Sequence, residues 1–483
     1  MLMTGDDFLE SLRDGRRIFL GRERVEDVTT HPAFRNAART IAMIYDNKRA
    51  AEHRDVMACT EDGDTFSAYY LLPRRREDLQ RRYETHRRIA SWTHGLIGRS
   101  PDNFPSYVSG LVMDPAMFDA IRPGFGDNIR NYYRHMRRND LFVAHTVTNP
   151  QGWRAGAPDG ARVSPTLRVV AEDDRGVVIN GLKMLGTAAV FCHETWCGNL
   201  QPVAPGGEKE TITCAVPLNA PGVSIWPRTP YERGASAVDH PLAARFDETD
   251  SAVLFENVHV PWERVFCHDN VAMTRAIYMR TPGHAMANHQ ANVRFLAKLE
   301  LILGVAKRLA DINRVADNPA VQFTLGRLAA QQAMLEGLIM GQVNCGEAQV
   351  KGFHTVNRRY VYAALHWCTN NHSEICDTVR ELMGAGVFQM PADASVLADP
   401  ATAERFETYW STPGASATAR MKLFRLAWDL LGSDFAGRHM QYEKFYAGPG
   451  FVMNSYSFLG APWEEWTGRV AEAMEGAQSK VQE

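Results

Sequence analysis

Several side chains are of types that could do chemistry, and each also has a plain structural reading. Arg99, in Gly98-Arg99-Ser100-Pro101-Asp102, is a permanent cation that can hold an oxyanion, or else an arginine at a helix end paired with Asp102. His145 ends the apolar run Leu141-Phe142-Val143-Ala144. An imidazole titrates near neutrality and can take or give a proton, although a lone histidine at such a place also serves as a satisfied core residue. His289, in Asn288-His289-Gln290, opens a long apolar helix. There the helix dipole would disfavour the imidazolium and leave a ring able to accept a proton, unless the ring only caps the helix. Thr187 closes Gly181-Leu182-Lys183-Met184-Leu185-Gly186-Thr187, either as a functional hydroxyl or as a strand end. Gly448 and Gly450, in Ala447-Gly448-Pro449-Gly450, permit close backbone approach, as in any tight turn.

Other chemistries are missing. No G-x-G-x-x-G opens a helix after a strand; Gly384-Ala385-Gly386 and Gly448-Pro449-Gly450 do not complete it. There is no P-loop and no G-x-S-x-G nucleophile elbow. Cys192-His193, Cys197 and Cys214 lack the spacing of a zinc site, so no metal is expected. Lys and Arg number 53 against 56 Asp and Glu, a net charge of −3 that gives no field for nucleic acid or an acidic membrane. Apolar runs fall short of the roughly 20 residues of a membrane span. Met1-Leu2-Met3-Thr4-Gly5-Asp6-Asp7 puts two acids where a signal peptide would be basic. The eight scattered cysteines read as free thiols, and the expected location is the cytoplasm.

The elements that must position these side chains fall into three zones of a 483-residue chain. Residues 1–146 are expected to be helical and Arg-rich, with polar amphipathic stretches at Ser11 to Phe19, Asp78 to Leu96 and Asn131 to Asp140. Residues 147–275 read as a β-domain: Leu167 to Val170 and Val177 to Ile179 around a tight turn, then Thr211 to Leu218, Gly222 to Trp226 and Ala252 to Val260. Residues 276–483 read as a helical bundle with a tail. Phe295, Leu299, Ile302, Val305 or Ala306, and Leu309 repeat at helical period, as do Val321, Leu325, Leu328, Leu335 and Ile339 after Asn318-Pro319. Arg358 to Leu382 and Thr418 to Ser433 complete four antiparallel helices.

Several further segments are too unusual for scaffold. They are Val28-Thr29-Thr30-His31-Pro32-Ala33-Phe34-Arg35-Asn36, His145-Thr146-Val147-Thr148-Asn149-Pro150-Gln151, Phe255-Glu256-Asn257-Val258-His259-Val260-Pro261-Trp262-Glu263-Arg264-Val265-Phe266 and Gly432-Ser433-Asp434-Phe435-Ala436-Gly437-Arg438-His439. Together with those around Arg99 and Thr187, in this order, they resemble the 4-hydroxyphenylacetate 3-monooxygenase large-component family over nearly the whole chain. The resemblance implies an acyl-CoA-dehydrogenase-like fold, mainly α with a central β-domain, and a homotetramer. It implies a two-component flavin monooxygenase: an NADH-dependent reductase supplies FADH2 by diffusion, and this chain adds O2. A flavin C4a-hydroperoxide then hydroxylates a 4-hydroxyphenylacetate-like phenol ortho to its hydroxyl. The missing nicotinamide site fits that division of labour.

Residue by residue, the resemblance assigns the phenol pocket to Arg99, Asn103, Tyr107, His145, Asn199 and Leu200, and catalysis to Arg99, His145 and His289. It assigns flavin contact to His145, Thr146, Val147, Gln151, Gly152, Trp153, Arg154, Thr187, Ala447, Gly448, Pro449 and Gly450. Asn103 stands where the family has tyrosine; either Tyr107 compensates or the substrate differs from 4-hydroxyphenylacetate. The loop Cys192 to Gly207 also looks unlike the usual one. It keeps open a halophenol, nitrophenol or tyrosine-derived-precursor hydroxylase. The related 4-hydroxybutyryl-CoA dehydratases need three cluster cysteines, which would fall on Arg99, Asn103 and Leu296; only the cluster histidine survives, as His289. A non-catalytic flavin binder is opposed by the retention of Arg99, His145, Thr187 and His289 together.

Overall fold

Alternating apolar side chains build the middle of the molecule. In the strand Asp250–Pro261, Val253, Phe255, Val258 and Val260 are buried, which commits one face to the core. This strand pairs antiparallel with Gly176–Thr187, with a bulge between Phe255 and Val258. The computed structural model describes residues 2–152, 164–232, 236–348, 351–446 and 448–478.

The larger sheet has six strands in the order Glu23–Val25, Ile18–Leu20, Val223–Pro227, Asp250–Pro261, Gly176–Thr187, Arg168–Glu172. The turn expected after Leu167 to Val170 is there, with Glu172 opposite Val177. The smaller sheet runs Val265–Cys267, Thr213–Pro217, Glu194–Cys197, Val143–Thr146. Its last pair is parallel and sets His145 opposite Trp196. A bridge between Thr148 and Met184 joins the two sheets just past His145.

The N-terminal zone differs from its helical expectation. The first helix is Gly5–Ser11, capped by Thr4, and Ser11 to Phe19 does not continue it. Gly15 turns the chain at φ +79°, and the buried Arg16 donates to the carbonyls of Val190 and Cys192 at 3.0 and 2.8 Å. Ile18–Leu20 thereby joins the six-stranded sheet, beside Val223–Pro227. Long-range pairing overrides the local amphipathic pattern.

In this zone Arg76–Trp92 stands on the expected stretch Asp78 to Leu96 and Phe125–Asn139 on Asn131 to Asp140, while the helix Asn103–Val112 lies between the expected stretches. The four expected C-terminal helices are Gly283–Ile312, Pro319–Asn344, Arg358–Met383 and Ala417–Leu431, and Pro400–Trp410, Asp434–Phe445, Gly450–Leu459 and Trp463–Gln478 add to them. In Gly283–Ile312 all the periodic positions from Phe295 to Leu309 are buried. Each such large side chain contributes about 1.5–3 kcal/mol relative to exposure. In Pro319–Asn344, Leu328, Leu335 and Ile339 are buried, while Val321 and Leu325 are half-buried.

Gly283–Ile312 also packs against Asn103–Val112 and Arg76–Trp92, so the C-terminal bundle meets the N-terminal helices directly. Gly110 permits the crossing: a Cβ there would stand 2.4 Å from the Gly283 nitrogen. That contact brings Gln290 against Asn103 and creates the site below. No helix among the described residues is long and apolar enough to cross a membrane. All eight cysteines are unpaired; seven are buried and Cys345 is exposed.

Candidate active site

Arg99 lies in the turn before the helix Asn103–Val112, and Glu248 accepts its backbone N–H at 2.8 Å. Its Nη1 donates to Asn103 Oδ1 and to Tyr446 Oη, both at 3.1 Å, and its guanidinium carbon stands 4.4 Å from the Tyr446 ring centre. Nε and Nη2 have no partner among the described residues. Burial works to lower its pKa, but Tyr446, Tyr442 and Glu248 outweigh burial and raise it, so the cation is permanent. Asp102 is not its counter-ion. The Asp102 carboxylate accepts from Ser100 and Gln290 and lies 2.7 Å from His86 Nδ1.

His145 is walled by aromatic rings: Tyr107 at 4.9 Å, Phe104 at 5.5 Å and Tyr278 at 6.1 Å between centroids. Its Nε2 is buried without a partner. Burial, then the Arg99 and His284 charges, push its pKa well below the usual histidine value. The near-neutral proton acceptor expected of His145 is therefore a neutral ring at rest, suited to accepting a hydrogen bond. Tyr107 packs between His145 and Tyr278, and among the described residues no hydrogen bond joins its buried hydroxyl to Arg99 or Asn103. The hydroxyl beside Arg99 and Asn103 belongs to Tyr446.

Asn103 donates to Gln290 Oε1 at 2.8 Å, and Gln290 Nε2 donates to Ser100 and Asp102. His289 is not at a helix start: the helix begins at Gly283, and His289 sits in its second turn, fully buried. Burial, then His86, pulls its pKa down to about 3, so burial and not the helix dipole keeps it neutral. Nδ1 lies 2.7 Å from Gln342 Oε1, which fixes Nδ1 as the donor, while Nε2 is buried and unpartnered. Among the described residues no contact joins His289 to Arg99 or His145; its ring lies 6.0 Å from that of His86, with no hydrogen bond between them.

The segment after His145 divides. The Thr146 hydroxyl turns into the sheet against Thr195 at 2.8 Å, Val147 is half-buried, and Gln151 and Gly152 are exposed. Trp153, Arg154 and Ala447 lie outside the described residues. Thr187 ends its strand with its hydroxyl donated to Asp250 Oδ1 at 2.8 Å, so only its lone pairs remain for a ligand. Asp250 is gripped in turn by Arg438, whose Nη1 also reaches Glu248 at 2.7 Å. One guanidinium thus ties the Thr187 strand end to the backbone of Arg99. Gly448 and Gly450 frame Pro449 at the start of the helix Gly450–Leu459.

On the far side, Lys183 is fully buried and donates to Asn149 Oδ1, the Gly198 carbonyl and Asn199 Oδ1 at 2.7, 2.7 and 2.9 Å. Asn199 spends its amide on Lys183, Thr274 and the Glu210 carbonyl. It braces the pocket loop rather than offering a free group, and Leu200 is exposed. Sequence reasoning missed Gln290, Tyr446, Arg438, Lys183, Tyr278 and His284. The first four lay inside or beside segments already singled out; Tyr278 and His284 carried no local signal.

Residues 4–267 match the family described as 4-hydroxyphenylacetate 3-hydroxylase N terminal, and residues 274–475 match its C terminal. The chain is 30% identical to the oxygenase component of 4-nitrophenol 2-monooxygenase from a Rhodococcus species, over 92% of this chain and 86% of that protein. It is 31% identical to the pyoverdin chromophore biosynthetic protein PvcC of Pseudomonas aeruginosa, over 92% and 89%. It superimposes with a TM-score of 0.92 and 29% identity, over 100% of both chains, on the oxygenase component of 4-hydroxyphenylacetate 3-monooxygenase complexed with FAD and 4-hydroxyphenylacetate. The mainly helical fold with a central β-layer is thus a shared one, and the chain belongs to the 4-hydroxyphenylacetate 3-hydroxylase family, as an oxygenase component of a flavin-dependent aromatic monooxygenase.

Proposed function

We propose that this chain takes reduced FAD from a separate NADH-dependent flavin reductase and uses O2 to hydroxylate a para-substituted phenol of the 4-hydroxyphenylacetate type, ortho to its hydroxyl. The observation that carries the reading is Arg99: a permanent guanidinium with Nε and Nη2 unspent, in the electrostatic reach of a neutral, aromatic-walled His145. Such a pair favours a phenol that is losing its proton. The ring nitrogen accepts the O–H of the neutral phenol, and the fixed cation stabilises the oxygen as negative charge develops on it.

The residues present fit a flavin. The Thr187 lone pairs suit an N–H of the reduced ring system. Bound reduced FAD supplies the oxygen-activating chemistry. The protein holds the phenol oxygen on Arg99, accepts from it at His145, and keeps water out with Phe104, Tyr107 and Tyr278. His289 meets His86 only ring to ring, at 6.0 Å, and hydrogen-bonds Gln342, so any part it plays as a proton acceptor is indirect.

A homotetramer is the assembly we infer. Supporting it, Phe451, Phe458 and Leu459 on the C-terminal helix Gly450–Leu459 are 71%, 62% and 78% exposed, an apolar face suited to a second copy. The test of function is product analysis with a flavin reductase, NADH, FAD and a panel of para-substituted phenols. A catechol formed from at least one of them is the expected result; NADH consumption with only peroxide from every phenol would refute the reading.

A further inference from the structure

We propose that Tyr446 is a substrate-contacting residue whose O–H donates to the oxygen of the phenolate held by Arg99, and so helps set how much of the bound phenol is ionised. The proposal rests on the phenol-hydroxylase reading above and adds a group that the reading does not contain.

The argument is one of donors and acceptors. Arg99 has only donors, so its 3.1 Å bond to Asn103 fixes that atom as the amide oxygen and the other as Nδ2. Nδ2 gives one N–H to Gln290 at 2.8 Å and turns the other toward Tyr446 Oη at 3.5 Å. The Tyr446 oxygen accepts from Arg99 at 3.1 Å as well. A phenolic oxygen has two lone pairs and one proton. With a donor on each lone pair, the proton cannot point at Arg99 or Asn103, and no described residue accepts it.

The proton is therefore left for an acceptor other than these, such as the oxygen of a ligand bound at Arg99. Donation from a cation onto the oxygen also polarises the O–H and strengthens it as a donor. The ring is fixed at the same time, 4.4 Å from the guanidinium carbon and edge-on to Tyr442 at 5.4 Å. Tyr446 is half-buried at the end of the helix Asp434–Phe445, close to Gly448, so it reaches the pocket from the C-terminal side.

The test uses 4-nitrophenol, whose phenolate absorbs in the visible, titrated onto the full chain with FAD present across a range of pH. Tyr446→Phe keeps the ring and removes the proton. Losing one hydrogen bond to a charged group should weaken binding of the anion roughly 10- to 100-fold and raise the apparent pKa of the bound probe. Tyr442→Phe is the control, because the Tyr442 hydroxyl is buried without a partner in the same cluster. It should leave the probe's ionisation at the wild-type value. Ionisation in Tyr446→Phe equal to wild type, or an equal shift in Tyr442→Phe, overturns the role of Tyr446 alone. Wild-type protein that does not favour the anion at all overturns the Arg99 reading with it.

Discussion

Asp102 Oδ2 lies 2.7 Å from Nδ1 of His86, both side chains fully buried, and this pairing leaves Arg99 without a carboxylate on its side chain. Three residues apart in sequence from an acid on the same turn, Arg99 would ordinarily be neutralised by it. Instead His86, Ser100 and Gln290 satisfy Asp102, and Arg99 turns to two neutral oxygens. The cation is held in place without being cancelled, which is what recognition of an oxyanion requires.

Arg99→Ala should therefore weaken phenol binding and divert reduced flavin into peroxide. The loss of a charge-assisted hydrogen bond is about 1.5–3 kcal/mol, or roughly tenfold to a hundredfold in Kd. Arg99→Lys should recover part of the affinity through charge but not the coupling, because an ammonium cannot hold Asn103 and the phenolate together. Phenol titration and the ratio of product to NADH consumed check both; wild-type coupling in Arg99→Ala would remove Arg99 from the mechanism.

His145→Ala should depress hydroxylation more than flavin binding. Because burial and the nearby Arg99 charge keep the ring neutral, kcat should show no inflection near the usual histidine pKa. A pH profile of single-turnover hydroxylation checks this. An inflection near 6.5 that vanishes in His145→Ala would show that the ring titrates as an ordinary histidine.

Local sequence was enough for some of this and silent on the rest. Periodicity located the long helices, because Phe295 to Leu309 are buried by a face that one helix alone defines. Alternation located Asp250–Pro261 and Gly176–Thr187 for the same reason. Ser11 to Phe19 misled because Ile18 pairs with Ile225, more than 200 residues away. Arg99 and His145 were legible as residue types in distinctive segments. Their partners were not: Tyr446 and Glu248 come from other elements, 347 and 149 residues distant. His289 reads as a helix start in sequence because nothing in the local pattern marks Gly283 as the true one.

Arg438→Met should cost both stability and flavin retention. It removes the shared partner of Glu248 and Asp250, and breaking a buried ion pair on one side typically costs about 3–5 kcal/mol. Arg438→Lys should restore only part of this, since one ammonium cannot serve both carboxylates. Urea unfolding and FAD binding to the folded variant are the measurements; a melting curve equal to wild type would show that the bridge is dispensable.

Stability should fall with acid through the histidines. In His193, Nδ1 accepts the Phe142 N–H at 2.9 Å, and burial, then Arg16, pulls the pKa from 6.5 down to about 4. His284 is likewise held at about 4 by burial and Arg358. Folded-state values below the unfolded one mean that the unfolded chain binds more protons. This stability is present above pH 6.5 and is lost as pH falls toward 4, at on the order of 1 kcal/mol per unit for each group. Urea unfolding at pH 7 and pH 5 should show the drop, and His193→Gln should shallow it. A flat profile would contradict the burial argument.

The most direct measurement is stopped-flow absorbance of the chain mixed with photoreduced FAD and oxygenated buffer. A pocket that excludes water should yield a long-lived oxygenated-flavin transient, distinct from oxidised FAD, that decays faster when 4-hydroxyphenylacetate or another phenol is present. Reoxidation indistinguishable from free flavin, with and without phenol, would contradict the account.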